Sequence, residues 1–167
     1  MEKSNWKKEL KQMKLKNLQE RSPDFFYNSG GFLMKTNPYT DETANGLTKA
    51  IIDWLTFSGC YANRINVQGQ ARKERIEMAG GNYMDKITYT PSTTNKGTAD
   101  ISAIISGRHV SIEVKIGKDR MSLHQLKEME RVTSAGGKYF IARDMPSFLE
   151  FYNEMTVNNN KKQQDGL

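Results

Sequence analysis

Apolar residues in the first half of the chain keep helical spacing. Leu47, Ala50, Ile51, Trp54 and Leu55 fall three and four residues apart, one face of a buried helix, and Gly59 stands where such a helix would stop. Fifty residues on, the period becomes two. Within "GTADISAIISGRHVSIEVKIG", Val110, Ile112, Val114 and Ile116 alternate with Ser111, Glu113 and Lys115, which predicts strands over 100–105 and 110–116. A type II′ turn at Gly107-Arg108 would join them, since glycine accepts the positive φ of its first position. The helical period returns over 122–134 and ends at Gly136-Gly137. "KYFIAR" reads as a strand, and Phe148, Phe151, Tyr152 and Met155, after Pro146, form a last helical stripe.

Between these elements the pattern weakens. "CYANRINVQ" has the β-branched content of a strand, whereas "GQARKERIEMAGGNYMDK" reads as a long polar insertion. Residues 22–45 are dense in Ser, Asn, Gly and Pro and read as a connector. Residues 1–21 carry an apolar stripe of Trp6, Leu10, Met13 and Leu18, and residues 157–167 read as a disordered tail. A length of 167 residues then suits one domain over 46–156 with extensions.

Composition narrows the chemistry. No apolar run approaches the roughly 20 residues that span a bilayer, and "MEKSNWKKELKQMKLK" lacks the apolar segment of a secretory signal, so a cytoplasmic protein without membrane contact is expected. Cys60 is the one cysteine, and His109 and His124 are the two histidines. A four-ligand zinc site cannot be assembled from them, which leaves oxygen ligands for any metal. The net charge of +6 favours a polyanion such as nucleic acid. Seven of the cations, against three carboxylates, lie in residues 1–21. That stretch reads equally as a helix packed on the domain or as a phosphate-binding arm. Arg64, Arg72, Lys73 and Arg75, together with Lys96 and Lys118, read either as solvated loop charges or as phosphate contacts.

The charges inside the alternating stretch are the sharpest signal. With Gly107-Arg108 as the loop, Asp100 would stand opposite Lys115 and Ser102 opposite Glu113, so both carboxylates and the ammonium converge on one face. A one-residue slip would send Asp100 to the other face. Two such carboxylates resist joint ionisation unless a cation lies between them. Magnesium suits the pair, because it accepts one or two carboxylates and completes its shell with water and phosphate oxygens. Lys115 beside it would hold the attacking water and offset charge in phosphodiester hydrolysis. The plainer reading is an exposed hairpin face with an Asp100–Lys115 ion pair and an unrelated Glu113.

Gly97, Asp100, Glu113-Val114-Lys115 and Gln125, carried on "KGTADI", "GRHVSIEVK" and "SLHQLKEMERVTSAGGKYFIA", resemble the PD-(D/E)XK nuclease superfamily. Within it they are most similar to the VRR-NUC branch, which includes phage and bacterial nucleases of the Holliday-junction-resolvase type. The resemblance covers about Leu47 to Arg143. It implies an α/β domain of restriction-endonuclease-like architecture, a mixed sheet in the order helix, strand, hairpin, helix, strand, flanked by helices. It also implies Asp100, Glu113 and the backbone carbonyl of Val114 as metal ligands, Lys115 as the water-positioning residue and Gln125 as a supporting residue. The expected activity is Mg2+-dependent cleavage of DNA, branched or nicked DNA included, with Mn2+ able to substitute and 5′-phosphate ends produced. Cutting a junction would call for two sites and hence a homodimer. The alternative is a nuclease fold that binds nucleic acid without turnover.

Three points temper the match. Many relatives carry a glutamate early in the first core helix, whereas this chain reads "NGLTKAIIDWL", with Glu42 and Asp53 as unaligned neighbours. Ser122 to Gln125 also fits an S-x-x-Q capping box, a purely local role for Gln125. His124 reads as a surface or packing histidine, and Lys118, Asp119 and Arg120 as a solvated turn.

Overall fold

The computed structural model describes residues 5–28, 38–65, 70–78, 81–90 and 95–164. Its elements in chain order are α1 (Trp6–Arg21), α2 (Pro23–Asn28), α3 (Ala44–Phe57), β1 (Tyr61–Arg64), β2 (Gln70–Glu77), β3 (Tyr83–Thr90), β4 (Ile101–Ile105), β5 (Arg108–Val114), α4 (Leu123–Ser134), β6 (Lys138–Ala142) and α5 (Met145–Gln164). Strands β1, β4, β5 and β6 form a mixed sheet in that order, and β2 and β3 pair separately as a second, antiparallel sheet. The fold is mixed α/β with helices flanking the larger sheet. Among the described residues no helix is long and apolar enough to cross a membrane.

Alternation decides which side of the sheet is core. Ile101, Ala103, Ile105, Val110, Ile112 and Val114 are all buried, and they meet Leu47, Ala50, Ile51, Trp54 and Leu55 of α3 with Met145 and Phe148 of α5. Each buried Ile or Val stabilises by about 2 kcal/mol. Slipping β4 by one residue would expose two isoleucines and cost a sizeable part of a domain's roughly 5–15 kcal/mol of stability. Helix α1 adds Trp6 and Leu10 to the same core while Lys7, Lys8, Lys11, Lys16 and Arg21 stay exposed, so the apolar stripe of the N-terminal segment docks on the domain.

Several boundaries differ from expectation. The β4–β5 loop is Ser106-Gly107, closed by Ile105 opposite Arg108, with φ of 51° at Ser106 and 74° at Gly107. Positive φ at both central residues is the type I′ arrangement, whose twist matches the flanking strands, and it replaces the expected type II′ turn at Gly107-Arg108. The ladder moves by two residues, so Ser102 pairs with Ser111 rather than Glu113. Two is the side-chain period, and every side chain keeps its face.

The expected polar insertion is a two-stranded ribbon, β2–β3, and Pro23–Asn28 of the expected connector is helical. Helix α5 carries the backbone through Gln164 where a tail had been expected from 157. Residues 29–37 of the connector lie outside the described residues.

Candidate active site

The face of the sheet opposite the core carries the charges. Asp100 immediately precedes β4, and its position is fixed from both sides. Its backbone oxygen accepts the Ile65 N–H at 2.7 Å, and its Oδ2 accepts the Val114 N–H at 2.9 Å. In a strand the N–H and C=O of one residue point the same way, which places the Val114 carbonyl on the β4 side of β5. Lys115 N–H turns to the other neighbour and donates to Ala142 at 2.9 Å.

Glu113 and Lys115 project from β5 and its end and are sealed from solvent, with 3% and 6% exposure. The Lys115 ammonium sits 3.2 Å from Glu113 Oε1 and 3.4 Å from Asp119 Oδ2. Gln125 Nε2 also donates to Glu113 Oε1, whereas Glu113 Oε2 is buried without a partner. Burial raises the Glu113 pKa, the Asp100 charge raises it further, and Lys115 opposes both. A carboxylate in that state gains from a cation.

Gln125 fills both roles open to it. Its Oε1 accepts the Ser122 N–H at 2.9 Å while its own N–H donates to Ser122 Oγ at 3.3 Å, a complete capping box. The remaining amide N–H reaches Glu113. Gly97 makes this docking geometrically feasible. It sits at φ of 88°, and a Cβ there would lie 2.4 Å from the backbone C and O of His124. Only a residue without a side chain lets the loop before Asp100 touch the start of α4.

The donor set fits a hard cation. Asp100, Glu113 and the Val114 carbonyl offer oxygen only, and one of those oxygens is buried and unpaired. Among the described residues no three His, Cys, Asp or Glu side chains converge as a metal cage, so water and phosphate oxygens would complete the shell, the arrangement magnesium favours. The first core helix supplies no acid. Asp53 binds Tyr39 Oη at 2.7 Å and Lys49 at 2.6 Å, Glu42 is exposed, and Asn45 accepts from Arg64 at 2.7 Å.

The candidate phosphate contacts divide by place. Arg64 ends β1 next to Ile65, Lys96 precedes Gly97, and Lys118 follows β5; all three are exposed on segments that border the site. Arg72, Lys73 and Arg75 stand on the ribbon. Asp85 lies 2.7 Å from Lys73 and 4.0 Å from Arg75, and Arg75 stacks over Tyr83. His109 and His124 are exposed, His109 bonding Ser102 at 3.1 Å.

Two site residues escaped the sequence reading. Asp119 lies in the exposed turn expected of it, yet from there it also reaches the Lys115 ammonium. Tyr139 of β6 lies level with Ser111 in the parallel pairing, on the Glu113 face. Its hydroxyl is buried beside the Glu113 carboxylate without a well-formed hydrogen bond. Burial, then the Glu113 and Asp100 charges, raise its pKa well above the phenol range. Only the β5–β6 register reveals Tyr139, and no spacing in the chain encodes that register. No protein-family model matches the sequence, and no curated protein matches it.

Proposed function

We propose that the chain is a divalent-cation-dependent nuclease that hydrolyses DNA phosphodiester bonds, with a restriction-endonuclease-like fold of the PD-(D/E)XK kind. The observation that carries this reading is the burial of Glu113 and Lys115 beside the half-buried Asp100, with Glu113 Oε2 left without a well-formed hydrogen bond. A solvated hairpin face would leave these groups wet, and burying unpaired carboxylate oxygen without a use is costly.

Asp100, Glu113 and the Val114 carbonyl are the groups that would hold Mg2+, or Mn2+ in its place. A cation there supplies Lewis-acid polarisation of a phosphoryl oxygen and lowers the pKa of bound water. Lys115 orients the attacking water through its ammonium and offsets the negative charge that builds at phosphorus. Asp119 and Glu113 fix that ammonium between them, and Gln125 fixes Glu113. Arg64, Lys96 and Lys118 suit backbone phosphates beside the scissile bond, with Arg72, Lys73 and Arg75 further out along the ribbon.

Supercoiled, single-stranded and branched DNA incubated with the protein and Mg2+ tests the reading. Cleavage to 5′-phosphate ends is expected, lost on chelation and strongly reduced in Lys115→Ala, with DNA binding retained in that variant. Wild-type protein that binds DNA but leaves every substrate whole would be a binding module instead. Absence of both binding and cleavage would sink the reading altogether.

A further inference from the structure

Two polar atoms of the candidate site are buried without a well-formed hydrogen bond, the Tyr139 hydroxyl and Glu113 Oε2, although the hydroxyl lies within hydrogen-bonding influence of the Glu113 carboxylate. One is a donor and the other an acceptor. They project from adjacent parallel strands, where Tyr139 is level with Ser111 and Glu113 with Ile141, so Tyr139 stands one pleat behind Glu113 on the same face. Among the described residues the other such atom is Trp54 Nε1, on the core side of the sheet.

A phenylalanine at 139 would occupy the same volume and leave no unsatisfied hydroxyl. The neighbouring Phe140 shows that β6 accepts that residue, stacked at 4.3 Å on Phe151. The hydroxyl lies within hydrogen-bonding influence of the Glu113 carboxylate but completes no well-formed bond, so a small reorientation of that carboxylate would give it a full partner. Glu113 Oε2 has two lone pairs. One can accept from Tyr139 while the other faces a cation.

We propose that Tyr139 is a positioning residue of this site, whose hydroxyl donates to Glu113 Oε2 when the site is loaded and aims that oxygen at the divalent cation. The inference rests on the proposed cation site and adds to it a residue that touches neither substrate nor metal. Oriented outer partners of this kind typically account for roughly 10–100-fold in metal affinity.

Calorimetric titration of the full chain with Mn2+, alongside thermal unfolding of the metal-free protein, tests it. Tyr139→Phe should bind Mn2+ roughly 10–100-fold more weakly and unfold at the same or a higher temperature. In a Glu113→Gln background the same change should cause no further loss. Wild-type affinity in Tyr139→Phe overturns the proposal, and so does a lower unfolding temperature, which would assign the hydroxyl to the fold. If the wild type takes up no Mn2+, the cation site itself fails and the proposal falls with it; if Glu113→Ala loses Mn2+ while Tyr139→Phe keeps it, the site stands and Tyr139 alone is excluded.

Discussion

Among the described residues two antiparallel strand pairs, β2–β3 and β4–β5, use the same residue types to opposite ends. In β2–β3, Lys73 and Asp85 stand 2.7 Å apart with 67% and 44% of their side chains exposed. In β4–β5, Lys115 and Glu113 stand 3.2 Å apart at 7% and 3%. Contact distance does not separate them. Exposed pairs contribute about 0–1 kcal/mol because water screens them, whereas a buried pair carries a desolvation penalty that only its partners offset. The apolar alternation of β4 and β5 packs one face of the second hairpin on α3 and α5, and on the opposite face Gln125 of α4 closes on Glu113, so its charges are dry where those of the ribbon are wet.

Lys115→Ala should widen this contrast most. Cleavage should fall by about 10²–10³-fold, the usual cost of removing one preorganised charge-stabilising donor. Chemical unfolding should show a loss of about 3 kcal/mol, because Glu113 would remain buried without its cation. Lys73→Ala should lose less than about 1 kcal/mol. Equal losses from the two variants would erase the distinction.

Gly97→Ala comes next. The new methyl would meet the His124 backbone at 2.4 Å from a positive φ, so a loss of about 2–3 kcal/mol is expected from combined strain and overpacking. Cleavage should fall with it as the start of α4 moves off Glu113. An unchanged unfolding midpoint would show that this loop and helix do not touch.

Glu113→Gln sharpens the comparison through pH. A raised carboxyl pKa means that the folded chain binds the proton more tightly than the unfolded chain. Wild-type stability therefore falls as pH rises from the ordinary carboxylate range through the raised value. The glutamine variant should lack this fall, so its urea midpoint should overtake the wild type's toward neutral pH. Parallel curves would remove the buried charge from the account.

The smallest effect belongs to Asp85→Ala. Stability should change by less than about 1 kcal/mol, while Lys73 and Arg75 are released for phosphate. DNA affinity should rise modestly, with a steeper dependence on salt. Binding indifferent to this change would take the ribbon out of the contact surface.

The buried hairpin was legible because its pattern is redundant. Ile101, Ala103, Ile105, Val110, Ile112 and Val114 all vote for one face, so the side on which Asp100, Glu113 and Lys115 emerge could be read directly. The pattern is blind to a shift by two, and the turn at Ser106-Gly107 settled what the isoleucines left open. The ribbon was illegible for the opposite reason. Met84, Lys86 and Thr88 alternate with Tyr83, Asp85, Ile87 and Tyr89, and every residue of β3 is exposed, so no polar face contrasts with an apolar one. Asp119 and Tyr139 depend on loop path and parallel register, which arise from packing of distant segments.

Gln125 ties a local event to a distant one. A single side-chain amide closes the opening turn of α4 and grips Glu113, so fraying of that turn disarms the carboxylate in the same motion. On the proposed nuclease reading, whatever clamps the start of this helix would also set how firmly Glu113 is held.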